Sequence, residues 1–485
     1  MKEIQEVMAP VSRPIKILQF GEGGFLRAFV DVMVQQANQN GEYHGNIVVI
    51  KPRPGEDAAA FSRQKGLYTV CFRGRSQGKL VEENQVVDCL QQVLSLGRWQ
   101  EIRRIACLES LEVVVSNTTE AGIQFQEEPL PKEGAPAATF PGKLAQLLWE
   151  RWQYWQGRED RGLLVLPTEL IEENGLALRQ CVLQYAKFWK LPEAFCRWME
   201  TCCQFRSTLV DRIVTGFPKG QEERYYQSFG YQDALLDMAE PYGSWLIEGP
   251  EDSRLPLGRA GLPVRFVEDL RPFREQKVRL LNGAHTAMVA AAYGSGLTLV
   301  RQAVRHPVLG KYLRQVMEKE IIPAAPLPQE QGLAFAHDVL ERFDNPFIDH
   351  QLLSISLNSI SKWKARVLPS VLDYLRITGK LPRLLTFSFA ALLDFYTGEK
   401  GRGIGMWGEY PIRDEEEVLD FFAQVCRRPT REYVEKVCRR EDYWGSSLTE
   451  IPGFCEQATM WLEEIRRQGM EATLQKLLNE QEETL

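Results

Sequence analysis

Short runs of consecutive apolar residues alternate with stretches of helical periodicity through the first half of the chain. Ile15–Phe20, Ile47–Ile50, Val113–Val115 and Leu163–Leu166 are short, continuous and rich in β-branched residues or leucine. Strands covered on both faces read this way, because neither face alternates with water. Between them, Phe25–Ala37 and Pro141–Gln153 are amphipathic at helical spacing. Strand–helix alternation predicts a doubly wound α/β domain. After about residue 270 the pattern changes. Val278–Gly294, Lys311–Ile322, Gln329–Phe343, Arg383–Tyr396, Glu415–Val425 and Gln457–Asn479 keep helix periodicity, and strand-like alternation almost disappears. The expected organisation is α/β plus all-α: residues 1–268 as the doubly wound domain, residues 269–485 as a mainly helical one. The Gly- and Pro-rich stretch Leu255–Pro263 leads into that boundary. No internal repeat is evident.

With 485 residues the chain is too long for one ordinary core, which agrees with two large domains. Its composition, 44% hydrophobic and 25% charged, is that of a globular protein. The net charge of -7 argues against nucleic acid or an anionic membrane as partner, since either would want a basic face. No apolar run reaches the length of a membrane span. The opening residues MKEIQEVMAPVSRP lack the apolar core of a secretion signal. Ten cysteines are scattered without a CxxC, and Cys202 and Cys203 are adjacent, so reduced thiols in a cytoplasmic protein are expected. The five histidines, His44, His285, His306, His337 and His350, show no HxxxH or HxH pairing. A His-rich zinc site is therefore not expected.

The first strand runs into Gly21-Glu22-Gly23-Gly24-Phe25-Leu26-Arg27-Ala28-Phe29. Gly21 permits a tight turn and Gly23 lets backbone approach a pyrophosphate, while the following helix offers its amides and positive dipole end. The third position of the fingerprint is Leu26 rather than glycine, and a purely structural turn is the alternative. The second strand, Asn46–Ile50, is followed by Lys51-Pro52-Arg53 where an NAD enzyme often carries an acid. Lys51 and Arg53 would suit the 2′-phosphate of NADP, or are solvated surface charges, so the residues alone leave the cofactor open. Ser116-Asn117-Thr118 follows another strand, at the end where this fold binds ligands; a plain polar loop is the alternative.

The sharpest chemical signal is Lys277-Val278-Arg279-Leu280-Leu281-Asn282-Gly283-Ala284-His285. On an α-helix Asn282 lies roughly 140° and His285 roughly 80° around from Lys277, so all three can share one side. Hydride addition to a ketone builds negative charge on oxygen, which needs a proton donor and hydrogen-bond donors aimed at it. A partly desolvated lysine can be the acid, and an amide and an imidazole can hold the oxygen. A surface lysine beside a satisfied core histidine is the bland alternative.

GxGxFLRAF together with Lys-x4-Asn-x2-His resembles the polyol-specific long-chain dehydrogenases, typified by mannitol 2-dehydrogenase. The similarity is closer to the hexuronate-reducing branch of that family. It is carried by ILQFGEGGFLRAFVD (17–31), SNTTEAGI (116–123), LPTELIEENG (166–175), STLVDRIVTG (207–216), KVRLLNGAHTA (277–287) and NPFIDHQLLSISLN (345–358), in order along the chain. The resemblance implies a Rossmann-like domain joined to a helical domain, and no metal. It implies Lys277 as general acid/base, with Asn282 and His285 polarising the substrate oxygen. It implies NAD(H), held along Ile17, Leu18, Gln19, Phe20, Gly21, Glu22, Gly23, Gly24, Phe25, Leu26, Arg27 and Ala28, with Ser116, Asn117 and Thr118 beyond. One departure stands out: the polyol branch has a CDN sequence whose Asn helps hold the oxyanion, and here that place reads Thr168-Glu169-Leu170.

A hexuronate carries a carboxylate, so its site should hold an extra cation, preferably an arginine able to pair through two bonds. Arg212, Lys362 and Arg366 are the candidates, with Asp211 placed to orient Arg212 or Lys277. The activity implied is reduction of D-tagaturonate to D-altronate with NADH. Rivals are the epimeric reaction, fructuronate to mannonate, a polyol 2-dehydrogenase, and a non-catalytic dinucleotide-binding regulator. The sequence leaves the oligomeric state open.

Overall fold

Six strands form the main sheet of the amino-terminal part: β1 (Ile15–Phe20), β2 (Asn46–Lys51), β3 (Leu90–Ser95), β4 (Val113–Ser116), β5 (Leu164–Pro167) and β6 (Gln204–Phe205). They are ordered β3-β2-β1-β4-β5-β6, all parallel, so the order reverses between β1 and β4. Ligands of doubly wound sheets bind at the carboxyl ends of the strands flanking such a reversal. The structure, a computed structural model, describes residues 1–51, 57–132, 134–406 and 408–482. Its compact units are residues 1–74 with 80–270, and residues 75–79 with 271–485.

The continuous apolar runs are explained by the two layers on the sheet. Ile17, Ile47, Val49, Val113, Val115, Leu164 and Leu166 face one core, and Leu18, Val48, Ile50, Val114 and Val165 face the other. Successive residues of a strand point to opposite faces, and here both faces are dry. Helix α1 follows β1 on the first layer as Gly24–Leu26, a π segment Arg27–Asp31, and Val32–Gln39. Helix α2 (Trp99–Ala106), α3 (Phe140–Tyr154) and α4 (Asn174–Phe188) line the second. The sequence pattern did not anticipate two further three-stranded sheets in this unit. One joins Thr208–Asp211, Ser244–Glu248 and Val264–Val267; the other joins Tyr68–Ser76, Lys79–Val87 and Asp237–Ala239.

The carboxyl-terminal unit is helical apart from a small sheet of Gly398–Glu399, Arg402–Gly405 and Gly408–Pro411. Helix α5 runs as Arg271–Gln276, a π segment Lys277–Gly283, and Ala284–Gly294. Against it lie α6 (Gln329–Phe343), α7 (Ser359–Arg366) and α8 (Arg383–Phe395), and α9 (Phe454–Gln468) packs on α8. Nearly every residue of α8 is buried, so it is the central helix, and its first turn is capped from outside. Both carboxylate oxygens of Glu320 accept backbone amides there, from Leu384 at 2.9 Å and Leu385 at 2.8 Å. The expected helix Gln457–Asn479 is instead two, α9 and Met470–Glu482, separated by Gly469 at φ 89°. A left-handed glycine terminates a helix even where apolar periodicity continues across it.

Candidate active site

The turn after β1 is shaped by what cannot fit there. Gly21 has φ 116°, and a Cβ at this position would lie 2.8 Å from the carbonyl oxygen of Asn117. Its amide donates to Ile50 O at 3.1 Å and the Asn117 amide to Phe20 O at 3.0 Å, so the turn is tied to both neighbouring strands. Gly23, the residue capping α1, has nothing within 4 Å of its Cβ direction, leaving its backbone open to a ligand. A cavity of about 600 Å³ opens over this turn. Phe20, Gly21, Glu22, Gly23, Asn117 and Thr118 line it among the expected residues, and Ile50, Leu96, Gln126, Thr139 and Lys143 complete it. A glycine turn, an open helix start and a cavity at the sheet's reversal fit the phosphates and one end of a dinucleotide.

The other expected nucleotide residues frame the turn rather than line the cavity. Ile17, Leu18, Leu26 and Ala28 are core. Gln19 donates to Gly21 O at 3.2 Å, and Phe25 stacks on Phe29 at 4.9 Å between ring centroids. Arg27 donates to Leu235 O at 2.5 Å and pairs with Asp237 at 3.4 Å, while that carboxylate also fills the space where a Cβ of Gly24 would go. Lys51 does not face solvent: its side chain is 5% exposed and its Nζ lies 3.0 Å from Glu22 Oε1. Arg53 lies outside the described residues.

The sequence reading missed the group that sets the 116–118 loop. Glu169 is buried and accepts from Ser116 Oγ at 3.1 Å, Thr118 N at 2.9 Å and Thr118 Oγ1 at 2.9 Å. Burial raises its pKa, and the donors from Thr118 and Ser116 oppose that rise. In the same tripeptide Leu170 is 61% exposed, so the apolar residue at the place of the polyol branch's Asn is not part of a core. Asn117 donates from Nδ2 to Thr168 Oγ1 at 3.0 Å. The signal was present in the unusual Thr168-Glu169 pair after β5, but nothing in sequence marks a carboxylate as inward-facing.

In the carboxyl-terminal unit, Lys277 and Asn282 sit on the π segment of α5 and His285 on the turn after it. A π turn closes bonds from i to i+5, so residues 277 and 282 stack on one face instead of the wide angle an α-helix would give. Such π segments concentrate at functional sites. His285 is 8% exposed, and its Nε2 has no hydrogen-bond partner among the described residues. Its ring lies flat on Phe343, with centroids 3.7 Å apart and planes 8° apart, and meets His350 edge-on at 5.4 Å. Burial, reinforced by His350, Arg342 and Arg366, holds its pKa well below the usual value, so the imidazole is neutral. The Asn282 side-chain amide makes no hydrogen bond to the described residues; its carbonyl oxygen on the backbone accepts Thr286 Oγ1 at 2.8 Å.

The cation candidates differ in what surrounds them. Arg212 is spent on main chain: Nε donates to Tyr242 O at 2.8 Å and Nη1 to Ala28 O at 2.7 Å, with the guanidinium over the Phe29 and Phe72 rings. Burial lowers its pKa to about 10. Asp211 ends the strand Thr208–Asp211 and is part-buried. Lys362 donates to Ile355 O at 2.9 Å, and burial, then the charge of Arg366, lowers its pKa. Arg366 is half-buried at the end of α7, burial lowers its pKa, and no ion pair holds it among the described residues. Its carbonyl oxygen lies 2.7 Å from where a Cβ of Gly283 would be, so α7 meets the π segment at closest approach. One group of described residues could share a metal ion, His337, Asp338 and Glu341, and it contains none of these side chains.

A glycine phosphate turn on a parallel sheet, followed by a helical unit with a lysine, amide and neutral imidazole on one helix, defines a class of dehydrogenase. The chain belongs to the mannitol dehydrogenase family: residues 15–257 match the mannitol dehydrogenase Rossmann domain and residues 269–466 the mannitol dehydrogenase C-terminal domain. Within it the similarity is to proteins named altronate oxidoreductase. That of Bacillus subtilis is 40% identical over 470 residues, covering 96% of this chain and 95% of its own. That of Yersinia enterocolitica is 40% identical over 473 residues, covering 96% and 97%. Among solved structures, the fold is shared with D-sorbitol dehydrogenase in substrate-free form, at TM-score 0.81 and 19% identity, covering 98% of this chain and 100% of that one. It is shared also with Pseudomonas fluorescens mannitol 2-dehydrogenase in complex with NAD and D-mannitol, at TM-score 0.68 and 20% identity, covering 96% and 95%.

Proposed function

We propose that this protein is an NAD-dependent oxidoreductase that interconverts D-tagaturonate and D-altronate. The relatives at 40% identity are named for altronate oxidation, and the cavity over Gly21 and Gly23 fits a dinucleotide. Residues 1–268 hold the nucleotide and residues 269–485 the substrate. When bound, NADH supplies the hydride. Lys277 gives its ammonium proton to the oxygen that becomes alkoxide, and takes it back in the reverse direction. Asn282 and His285 donate hydrogen bonds to that oxygen as its charge grows. Because burial keeps His285 neutral, it polarises the carbonyl without being the acid, and the ammonium is left with that role.

The observation that carries this reading is the buried His285 Nε2 left without a partner, beside a π turn that stacks Lys277 with Asn282. Buried polar atoms are nearly always hydrogen-bonded, and an imidazole nitrogen left open beside this turn is one that a substrate oxygen can complete. Arg366, with no ion pair among the described residues, is the cation for the substrate carboxylate, with Lys362 beside it; Arg212, with its donors already taken by carbonyls, holds the amino-terminal unit together. The ten thiols suit a reducing compartment, the cytoplasm. Among the described residues no helix is long and apolar enough to cross a membrane.

Steady-state NADH oxidation with D-tagaturonate, D-fructuronate and D-fructose, run side by side, tests the assignment. Highest kcat/KM is expected for tagaturonate. A preference for fructuronate moves the substrate to its epimer, and a preference for fructose overturns the hexuronate reading.

A further inference from the structure

Doubly wound nucleotide-binding folds place an acid at the end of the second strand, where it takes the ribose hydroxyls of NAD and repels the 2′-phosphate of NADP. Here β2 ends in Lys51. A lysine at this place reads a 2′-phosphate only if its ammonium can reach it. That ammonium is instead buried, 3.0 Å from Glu22 Oε1.

Glu22 occupies the phosphate turn between Gly21 and Gly23, and its side chain is 18% exposed. It lines the cavity together with Ile50 from the end of β2. Relative to the usual arrangement the charges have changed places. The carboxylate comes from the turn, and the end of the strand supplies the cation behind it. With Lys51 on Oε1, the second oxygen faces no donor among the described residues. A 2′-phosphate at this end of the cavity would stand against the Glu22 carboxylate, or would have to draw Lys51 away and leave a part-buried carboxylate unpaired. Removing one partner of such a pair costs far more than the pair contributes. Ribose hydroxyls need neither; they donate to the oxygen that is left.

We propose that Glu22, oriented by Lys51, selects NAD(H) over NADP(H) in this chain, acting from the phosphate turn in place of an acid at the end of the second strand. The proposal rests on the dinucleotide reading above. Its test is equilibrium binding, with NADH and NADPH titrated by nucleotide fluorescence into wild type, Glu22→Gln, Lys51→Met and the Glu22→Gln/Lys51→Met double variant. Wild type is expected to bind NADH at least tenfold more tightly than NADPH. Glu22→Gln should narrow that ratio by tenfold or more, chiefly by weakening NADH. The double variant, which buries no unpaired charge, should show the same narrowed ratio even if the single one folds poorly. Lys51→Met, which leaves the Glu22 carboxylate without its counter-charge, should weaken NADPH at least as much as NADH. A ratio unchanged within twofold in both Glu22 variants overturns the role of Glu22, as does a Lys51→Met variant that binds NADPH more tightly than wild type does. Wild type that binds neither nucleotide overturns the dinucleotide reading itself, a separate failure.

Discussion

Arg366 is the residue at which a hexuronate and a neutral ketose should part company. A guanidinium with no ion pair among the described residues, half-buried at the end of α7, is expensive unless an anion completes it. Charge-assisted bonds contribute about 1.5–3 kcal/mol, so Arg366→Ala should raise KM for tagaturonate about tenfold to a hundredfold with smaller change in kcat. Fructose, lacking the carboxylate, should be turned over no worse by the variant than by wild type, which parallel kinetics would reveal. His285 should act on the other quantity. Removing one preorganised donor to a developing oxyanion costs on the order of 10²–10³ in kcat, and His285→Ala should lie in that range. Because the imidazole is held neutral, the wild-type profile of kcat/KM against pH should show no ionisation assignable to it near pH 6.5. A limb there that vanishes in His285→Ala would contradict the neutral role.

The elements that hold these residues are controlled by two glycines where backbone meets backbone. A Cβ at Gly283 would press to 2.7 Å on the Arg366 carbonyl oxygen, and the π segment cannot move without shifting α7. Gly283→Ala should therefore destabilise by about 1–3 kcal/mol, the scale of overpacking, and lower activity with the hexuronate by displacing both partners. Gly21→Ala meets a carbonyl at 2.8 Å and a φ of 116°, so NADH affinity should fall at least tenfold in a titration. Much at this scale was legible in the sequence. Ile15–Phe20 and Gln329–Phe343 have the limits their apolar patterns predict, because a strand dry on both faces and an amphipathic helix each print their period directly. What stayed hidden lacks a period or belongs to the third dimension. Tyr68–Ser76 and Lys79–Val87 pair across a turn without clean alternation, and Gly469 breaks a helix inside a continuous apolar stripe. In the site, the Lys277, Asn282 and His285 spacing was visible, but the π turn that stacks the first two was not, since helical periodicity says nothing of an i to i+5 closure. The basic Lys51 left NAD and NADP both open in the sequence, because only the fold pairs it with Glu22, 29 residues away. Glu169 shows the same limit, for only the fold brings it to Ser116 and Thr118.

Across the whole molecule, three buried acids set a pH dependence opposite to that of paired surface carboxylates. Burial raises Asp31 to about 7 and Asp237 to about 6 in the amino-terminal unit, and Glu320 to about 7 in the carboxyl-terminal one. Each folded pKa lies above the ordinary 3.8 or 4.5. Their contribution is thus fully present below about pH 4 and is lost as pH rises toward 7, where the folded state must ionise them in a dry surrounding. Asp31→Asn removes the largest rise near the phosphate turn while keeping an acceptor for the Tyr68 hydroxyl, 3.0 Å away. Its Tm should exceed that of wild type at pH 8 and match it near pH 4, by differential scanning calorimetry at both values; an equal Tm at pH 8 would show that Asp31 ionises without cost.

The whole account turns on proton delivery from Lys277. Turnover of D-tagaturonate by Lys277→Ala, measured beside NADH affinity of the same sample, tests it most directly. The expected result is a fall in kcat of about 10²–10⁴ with NADH bound within threefold of wild type. Turnover that survives the substitution would contradict the account.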